Sequence, residues 1–266
     1  MLCCRFQTMG RVVAIANQKG GVGKTTTAIN LGSSLAAAEL RTLVVDMDPQ
    51  ANLTSGLGLR TEAARGTIYD SLIQEKPVAE IIVDTMLESL KVIPSERNLT
   101  GAEIELVGEP RREFRLKEVL SAVVPDYDYV LIDCPPSLGL LTVNALVAAD
   151  SVLVPLQCEF FALEGVADLM ATVERVRAGF NPGLSIAGIL LTMYDERTNL
   201  SAQVIDDVRK HFHGSVFESV VPRNVRLAEA PSHGQPILLY DIRSKGAEAY
   251  LSLTKEILRH ETQSAR

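Results

Sequence analysis

A short apolar run, a glycine-rich turn and a Lys-Thr pair follow one another between Arg11 and Thr27, and they constrain the chain more than any other stretch. Val12 to Ala16 is rich in β-branched residues and reads as a buried strand. Lys19-Gly20-Gly21-Val22-Gly23-Lys24-Thr25 reads as a tight loop, and Thr25 to about Ala38 reads as a helix. Strand, glycine loop, Lys-Thr and helix together form a P-loop, the phosphate cradle of nucleotide hydrolases. Glycine is needed because the loop wraps an anion with its own N–H groups, and side chains would block that approach. The helix start adds partial positive charge. Lys24 is placed to reach the β- and γ-phosphates, and the Thr25 hydroxyl to bind Mg²⁺.

The standard pattern has a glycine five residues before Gly23, where this chain has Gln18, and a second lysine, Lys19, heads the loop. Taken alone, Lys19 reads as a solvated loop lysine. The whole string Lys-Gly-Gly-Val-Gly-Lys-Thr-Thr, however, resembles the deviant Walker A box of the ParA/MinD ATPases, which include the nitrogenase iron protein. The resemblance implies ATP and Mg²⁺ as ligands, Gly20, Gly21, Val22, Gly23 and Thr26 in the nucleotide cradle, and a Lys19 that reaches across a dimer interface to the partner's nucleotide.

Composition sets outer limits. A chain of 266 residues can bury a sizeable core. Its net charge of −7 gives no global basic field, so any nucleic-acid site must be a local patch. Cys3, Cys4, Cys134 and Cys158 have no paired metal spacing, and nothing resembles a secretory signal, so a reduced cytoplasm is expected. Cys134 and Cys158 lie in apolar strand contexts and read as buried thiols. No window approaches the ~18 apolar residues of a membrane span. Residues 1–9 match no element and are expected to be a flexible extension, with Met9 an alternative start.

Residues 10–262 read as one domain, because no linker or repeat interrupts them. Apolar strands are expected at Thr42–Asp46, Lys91–Pro94, Asp128–Asp133, Ser151–Leu156, Ile186–Thr192 and Val216–Val221. Helices are expected at Leu163–Ala178, closed by Gly179, at Ser201–Phe212 and at Gly246–His260. Gly66–Leu90 reads as helical segments broken at Pro77. Ala102–Val124 reads as a charged helical region interrupted at Pro110. This alternation predicts an α/β fold: a doubly wound, mostly parallel sheet with helices on both faces, a P-loop NTPase like the nitrogenase iron protein. Ligands of such sheets bind at the carboxyl ends of the strands. The motifs lie at those ends.

Asp46-Met47-Asp48-Pro49-Gln50 follows the second strand and resembles the first switch region of the family. The resemblance makes Asp48 the residue that orients or activates the attacking water, and sets Asp46 near the Mg²⁺ shell. Asp133 closes an apolar strand, where a carboxylate without a partner is costly. It resembles the Walker B acid that holds Mg²⁺ through water, and Pro135-Pro136-Ser137 resembles the second switch. Pro222-Arg223-Asn224-Val225-Arg226-Leu227-Ala228-Glu229-Ala230-Pro231-Ser232 resembles the partition-ATPase segment that contacts adenine and closes the dimer. Pro222 and Asn224 are its adenine candidates, with Met193 a further one.

The resemblance to chromosomal ParA/Soj proteins covers about Gly10 to Leu258 and includes Leu163-Glu164-Gly165 and Thr192-Met193. Plasmid relatives with an operator-reading N-terminal domain are not matched. Glu39-Leu40-Arg41 departs from the family, which commonly has a glycine there. The implied function is an ATPase whose ATP-bound sandwich homodimer binds double-stranded DNA nonspecifically on the nucleoid and is released when a ParB-type partner stimulates hydrolysis. Between Arg197 and Lys245 basic residues exceed acidic ones by only two. By resemblance, Arg197, Arg226 and Arg223 are the DNA candidates. The alternative is a MinD-like, membrane-cycling regulator of the division site. Tyr250, Leu253, Ile257 and Leu258 form one helical stripe, and the opposite face is not rich in lysine, so the stripe is expected to dock on the core rather than on a membrane. His211, His213 and His233 lack a carboxylate or cysteine at metal spacing and read as surface or hydrogen-bonded histidines.

Overall fold

The computed structural model describes residues 10–59, 65–159, 162–212 and 214–264. The N-terminal extension with Cys3 and Cys4 lies outside those residues, as does His213.

Eight strands form one sheet: β1 (Arg11–Ile15), β2 (Thr42–Asp46), β3 (Val83–Asp84), β4 (Leu90–Ile93), β5 (Tyr129–Asp133), β6 (Ser151–Gln157), β7 (Ser185–Tyr194) and β8 (Val216–Pro222). Their spatial order is β3-β4-β2-β5-β1-β6-β7-β8. Every pairing is parallel except that of β3 with β4. In chain order the helices are α1 (Lys24–Ala37), α2 (Asn52–Gly56), α3 (Ile68–Ile73), α4 (Val78–Ile81), α5 (Leu99–Glu105) and α6 (Arg115–Leu120), then α7 (Leu140–Ala148), α8 (Ala162–Gly179), α9 (Asn199–His211), α10 (Val225–Glu229), α11 (Ile237–Tyr240) and α12 (Lys245–Ser264).

The period of two along each strand splits the core into two layers. Val12 and Ala14 of β1, Leu43 and Val45 of β2, and Val130 and Ile132 of β5 face one layer, closed by residues such as Leu72, Leu99, Leu116, Leu141 and Leu169. Ile15, Val44, Tyr129 and Leu131 face the other, closed by Leu31 and Leu35 of α1 and by Tyr250 and Leu253 of α12. Strands buried on both faces need continuous apolar runs, and this is why they are legible in the sequence.

Two stretches differ from expectation. Gly66–Leu90 contains α3 and α4 but also the two-residue strand β3, too short for any period to register. Ala102–Val124 breaks into short α and 3₁₀ turns around α6 rather than one interrupted helix. The α7 helix was not expected; it is apolar almost all round and packs at the end of a buried strand, so it carries no amphipathic signal. Cys134 and Cys158 are buried free thiols; burial pushes the Cys158 thiol up to about 11. His211 packs edge-on against Phe212, and His233 stacks on Tyr240. Among the described residues no helix is long and apolar enough to cross a membrane.

Candidate functional site

The loop from Asn17 to Lys24 is fixed from both sides. The Asn17 amide donates to the Pro155 carbonyl at 2.8 Å, and its carbonyl oxygen accepts the Lys19 N–H at 3.0 Å. The Thr192 hydroxyl donates to the Val22 carbonyl at 2.8 Å, tying the loop to β7. Gly21 and Gly23 take φ of 74° and 90°, a region costly for any side chain. The open N–H groups of the first turn of α1 therefore face the carboxyl end of the sheet.

A cleft of about 590 Å³ opens there, lined by Gly20, Gly21, Gly23, Lys24, Thr25, Thr26, Asp48, Pro136 and Met193, together with Gln50, Asn52, Pro231 and Ser232. A second hollow of about 240 Å³ shares Gly23, Thr26 and Met193 with it and adds Pro222, Arg223, Asn224 and Tyr250. The nucleotide candidates thus meet in two adjoining spaces. The larger is headed by the loop, and the smaller is walled by Val221, Pro222 and Leu227. Asn224 also caps α10, accepting the Arg226 N–H at 2.8 Å.

The two lysines of the loop are placed differently. Lys24 is buried and donates to the Lys19 carbonyl at 3.1 Å. Burial lowers its pKa, and Asp133, Cys134 and Asp48 pull it back up. The Lys19 ammonium instead pairs with Glu159 at 3.0 Å, and Lys19 is not among the described residues lining the cleft.

Two buried acids sit opposite each other in register, Asp46 on β2 and Asp133 on β5. Asp46 spends both oxygens on the chain itself. Oδ2 accepts from the Thr54 N–H at 2.9 Å and the Thr54 hydroxyl at 2.7 Å, and Oδ1 accepts from the Asp48 N–H at 3.2 Å. Burial pushes its pKa up to about 6 against the pull of those bonds. Thr54 in turn accepts the Ser95 N–H at 3.0 Å, and the Ser95 hydroxyl donates to the Asp48 carbonyl at 2.9 Å. Asp46 therefore anchors the Asp48 loop, and it is Asp133 whose oxygens remain open.

Both Asp133 oxygens are buried without a hydrogen-bond partner. Burial and the neighbouring Asp46 hold its pKa well above the carboxylate range, and the adjacent Thr25 hydroxyl and Lys24 only partly offset them. An acid orphaned in this way, beside the Thr25 hydroxyl and the Lys24 ammonium, has the donor set of a hard divalent cation. Thr25 and Asp133 fit Mg²⁺, with Asp46 behind them.

Arg197 and Arg226 line neither hollow. Arg197 forms a two-point pair with Asp195, Nε–Oδ1 at 2.8 Å and Nη2–Oδ2 at 2.7 Å. Arg226 pairs with Glu229 at 2.9 Å and with Asp241 at 3.6 Å. Arg223 lines the smaller hollow. Sequence reasoning did not single out Thr54, Ser95 or Glu159. Each acts through a contact distant in sequence, which leaves no local signal.

Parallel sheet, two-lysine glycine loop and buried strand-end acids define a P-loop nucleotide-binding protein of the deviant Walker A class. A family model described as an AAA domain matches residues 10–186. The chromosome partitioning protein ParA of Myxococcus xanthus (strain DK1622) is 57% identical over 257 residues, spanning 97% of this chain and 91% of that protein. The sporulation initiation inhibitor protein Soj of Bacillus subtilis (strain 168) is also 57% identical, over 94% of this chain and 98% of its own. Among solved structures, the cobyrinic acid a,c-diamide synthase of Mycobacterium smegmatis with bound ADP and magnesium superposes with a TM-score of 0.84 at 39% identity, covering 97% of both chains. This chain belongs to the ParA/Soj family of chromosome-partitioning ATPases.

Proposed function

We propose that this protein is a Mg²⁺-dependent ATPase that partitions DNA by switching between a monomer and an ATP sandwich dimer. In this reading the dimer binds double-stranded DNA without sequence preference, and a ParB-type partner stimulates hydrolysis and release. The observation that carries the reading is the unequal placement of the two lysines: Lys24 lines its own cleft, whereas Lys19 stands outside it on Glu159. A cation that does not reach its own nucleotide is available to a partner's.

Phosphoryl transfer is mainly positioning and charge neutralisation. The N–H groups from Gly20 to Thr26 hold the ATP phosphates, and Lys24 supplies a fixed charge between them. Thr25 and Asp133 would hold Mg²⁺, which when bound neutralises the phosphate oxygens. Asp48, buried yet lining the cleft, orients the attacking water. Met193, Pro222 and Asn224 receive the adenine. Lys19 from the second copy completes the charge cage, and trans cations of this kind contribute ~10³–10⁵ in rate. Hydrolysis then requires a dimer.

The apolar stripe of α12 supports the DNA-bound rather than the membrane-bound branch. Tyr250 and Leu253 are buried in the layer between sheet and α1, and the Tyr250 hydroxyl lies 3.2 Å from that of Thr27. The stripe is thus occupied by the protein itself. Light scattering tests the dimer: ATP with Mg²⁺ should double the mass of the wild type and ADP should not, while Lys19→Gln should bind nucleotide but dimerise weakly. A monomer under all conditions would overturn the reading.

A further inference from the structure

Three cations of the DNA candidate face, Arg197, Arg226 and Lys245, are paired by the chain itself. Arg197 is held at two points by Asp195 although its side chain is 81% exposed. Arg226 is held by Glu229 and Asp241. Lys245 reaches Glu196 at 3.3 Å. The segments carrying these pairs are joined: the Arg223 N–H donates to the Tyr194 carbonyl at 2.9 Å, and the Glu196–Lys245 pair links the loop after β7 to the start of α12. Arg223 is in no ion pair among the described residues.

We infer that Asp195 and Glu229 act as built-in competitors for the phosphates of DNA and set how tightly the dimer holds it. The inference rests on the DNA-binding reading above and extends it to two acids that line neither hollow. Exposed ion pairs are worth little in water, so each arginine can exchange its carboxylate for a phosphate. The displaced carboxylate nevertheless stays within a few ångströms of that phosphate and repels it. It also takes up salt cations once freed, which offsets part of the counterion release that drives binding. The pairs therefore weaken DNA binding and flatten its salt dependence. A weak, reversible hold is what a protein released on hydrolysis requires.

Both acids can be neutralised without removing their structural contacts. Asp195 accepts the Arg197 N–H at 3.1 Å, and an asparagine carbonyl can do the same. Glu229 accepts the Tyr240 hydroxyl at 3.2 Å, as a glutamine carbonyl can. Asp207, on an exposed turn of α9 and in no ion pair among the described residues, provides a control with the same change of net charge.

The test is DNA affinity in ATP and Mg²⁺ across a salt series, with dimer mass followed by sedimentation. Asp195→Asn should tighten binding by about three- to tenfold near 100 mM salt, steepen the log–log salt slope, and leave the ATP dimer unchanged. Glu229→Gln, which lies in the segment assigned to dimer closure, should show the same gain in affinity and slope per dimer, with the dimer fraction read from sedimentation. Asp207→Asn should change neither. Unchanged or weaker binding in both variants, or equal tightening in Asp207→Asn, would overturn the inference while leaving the DNA-binding reading intact. A wild-type dimer that does not bind DNA would overturn both.

Discussion

The Lys19 ammonium lies 3.0 Å from the Glu159 carboxylate, across the junction between the phosphate loop and the end of β6. Glu159 is itself held by the Gln157 side chain, so the lysine is parked on an organised acceptor. On the proposed mechanism this pair must open before Lys19 can serve a second copy. Lys19→Gln should abolish turnover while leaving nucleotide binding by the monomer largely intact. Glu159→Gln should speed ATP-driven dimer formation by a few-fold, since a half-exposed pair is worth about 1 kcal/mol or less. Phosphate release and nucleotide titration read the first and stopped-flow light scattering the second, and a Lys19→Gln protein with wild-type turnover would contradict this role.

Asp48 and Lys24 should separate hydrolysis from binding. Asp48→Ala removes the acid that orients water but leaves the cradle, so a long-lived ATP dimer should accumulate on gel filtration. Lys24→Ala removes the buried cation of the cleft and should weaken nucleotide binding itself, measured by titration calorimetry. An Asp48→Ala protein that hydrolyses ATP at the wild-type rate would show that another group positions the water.

The buried acids make a pH prediction. Asp46 has a pKa of about 6 in the fold against 3.8 for a free carboxyl. A carboxyl raised in this way contributes stability that is full below about pH 4 and is lost as pH rises through about 6, amounting to about 3 kcal/mol. Asp133 acts in the same direction. Nucleotide-free protein should therefore lose stability as pH rises from about 4 to 6. Asp46→Asn, which keeps an acceptor for Thr54 but gives up the one for the Asp48 N–H, should flatten that part of the profile. Thermal melts that show identical pH profiles for the two proteins would contradict it.

The end of α1 offers a stabilising change. The Leu40 N–H donates to the Leu35 carbonyl at 3.2 Å and the Glu39 N–H to the Ala36 carbonyl at 2.9 Å, the two bonds of a Schellman cap. Glu39 accordingly adopts φ 62°, where the family commonly places glycine. Glu39→Gly should stabilise the protein by about 1 kcal/mol, or roughly 2–4 °C in Tm. An unchanged or lower Tm would contradict this reading of the turn.

Local chemistry was readable without the structure, and long-range chemistry was not. The strand, loop and helix from Arg11 to Ala37 were legible because each depends on neighbours in sequence. Asp133 stood out as an acid ending an apolar strand, whereas Asp46 and Asp48 read alone as a solvated loop and were reached through family resemblance. The difference between Asp46 and Asp133 was not legible, because it arises from Thr54, eight residues away on α2. Glu159 was silent for the same reason, lying 140 residues from the lysine it holds. The adenine candidates Pro222 and Asn224 were reached through family resemblance, and the structure sets them beside Met193 and Gly23.

In the proposed mechanism ATP creates a DNA-binding dimer. DNA binding measured in ATP, in ADP and without nucleotide, on wild type and on Arg197→Glu/Arg226→Glu, tests it most directly. Binding is expected only in ATP, with a log–log salt slope of about −0.9 per phosphate neutralised, and should be lost in the double variant while its ATP dimer survives. Binding that is equally tight without ATP, or unchanged in the double variant, would contradict that mechanism.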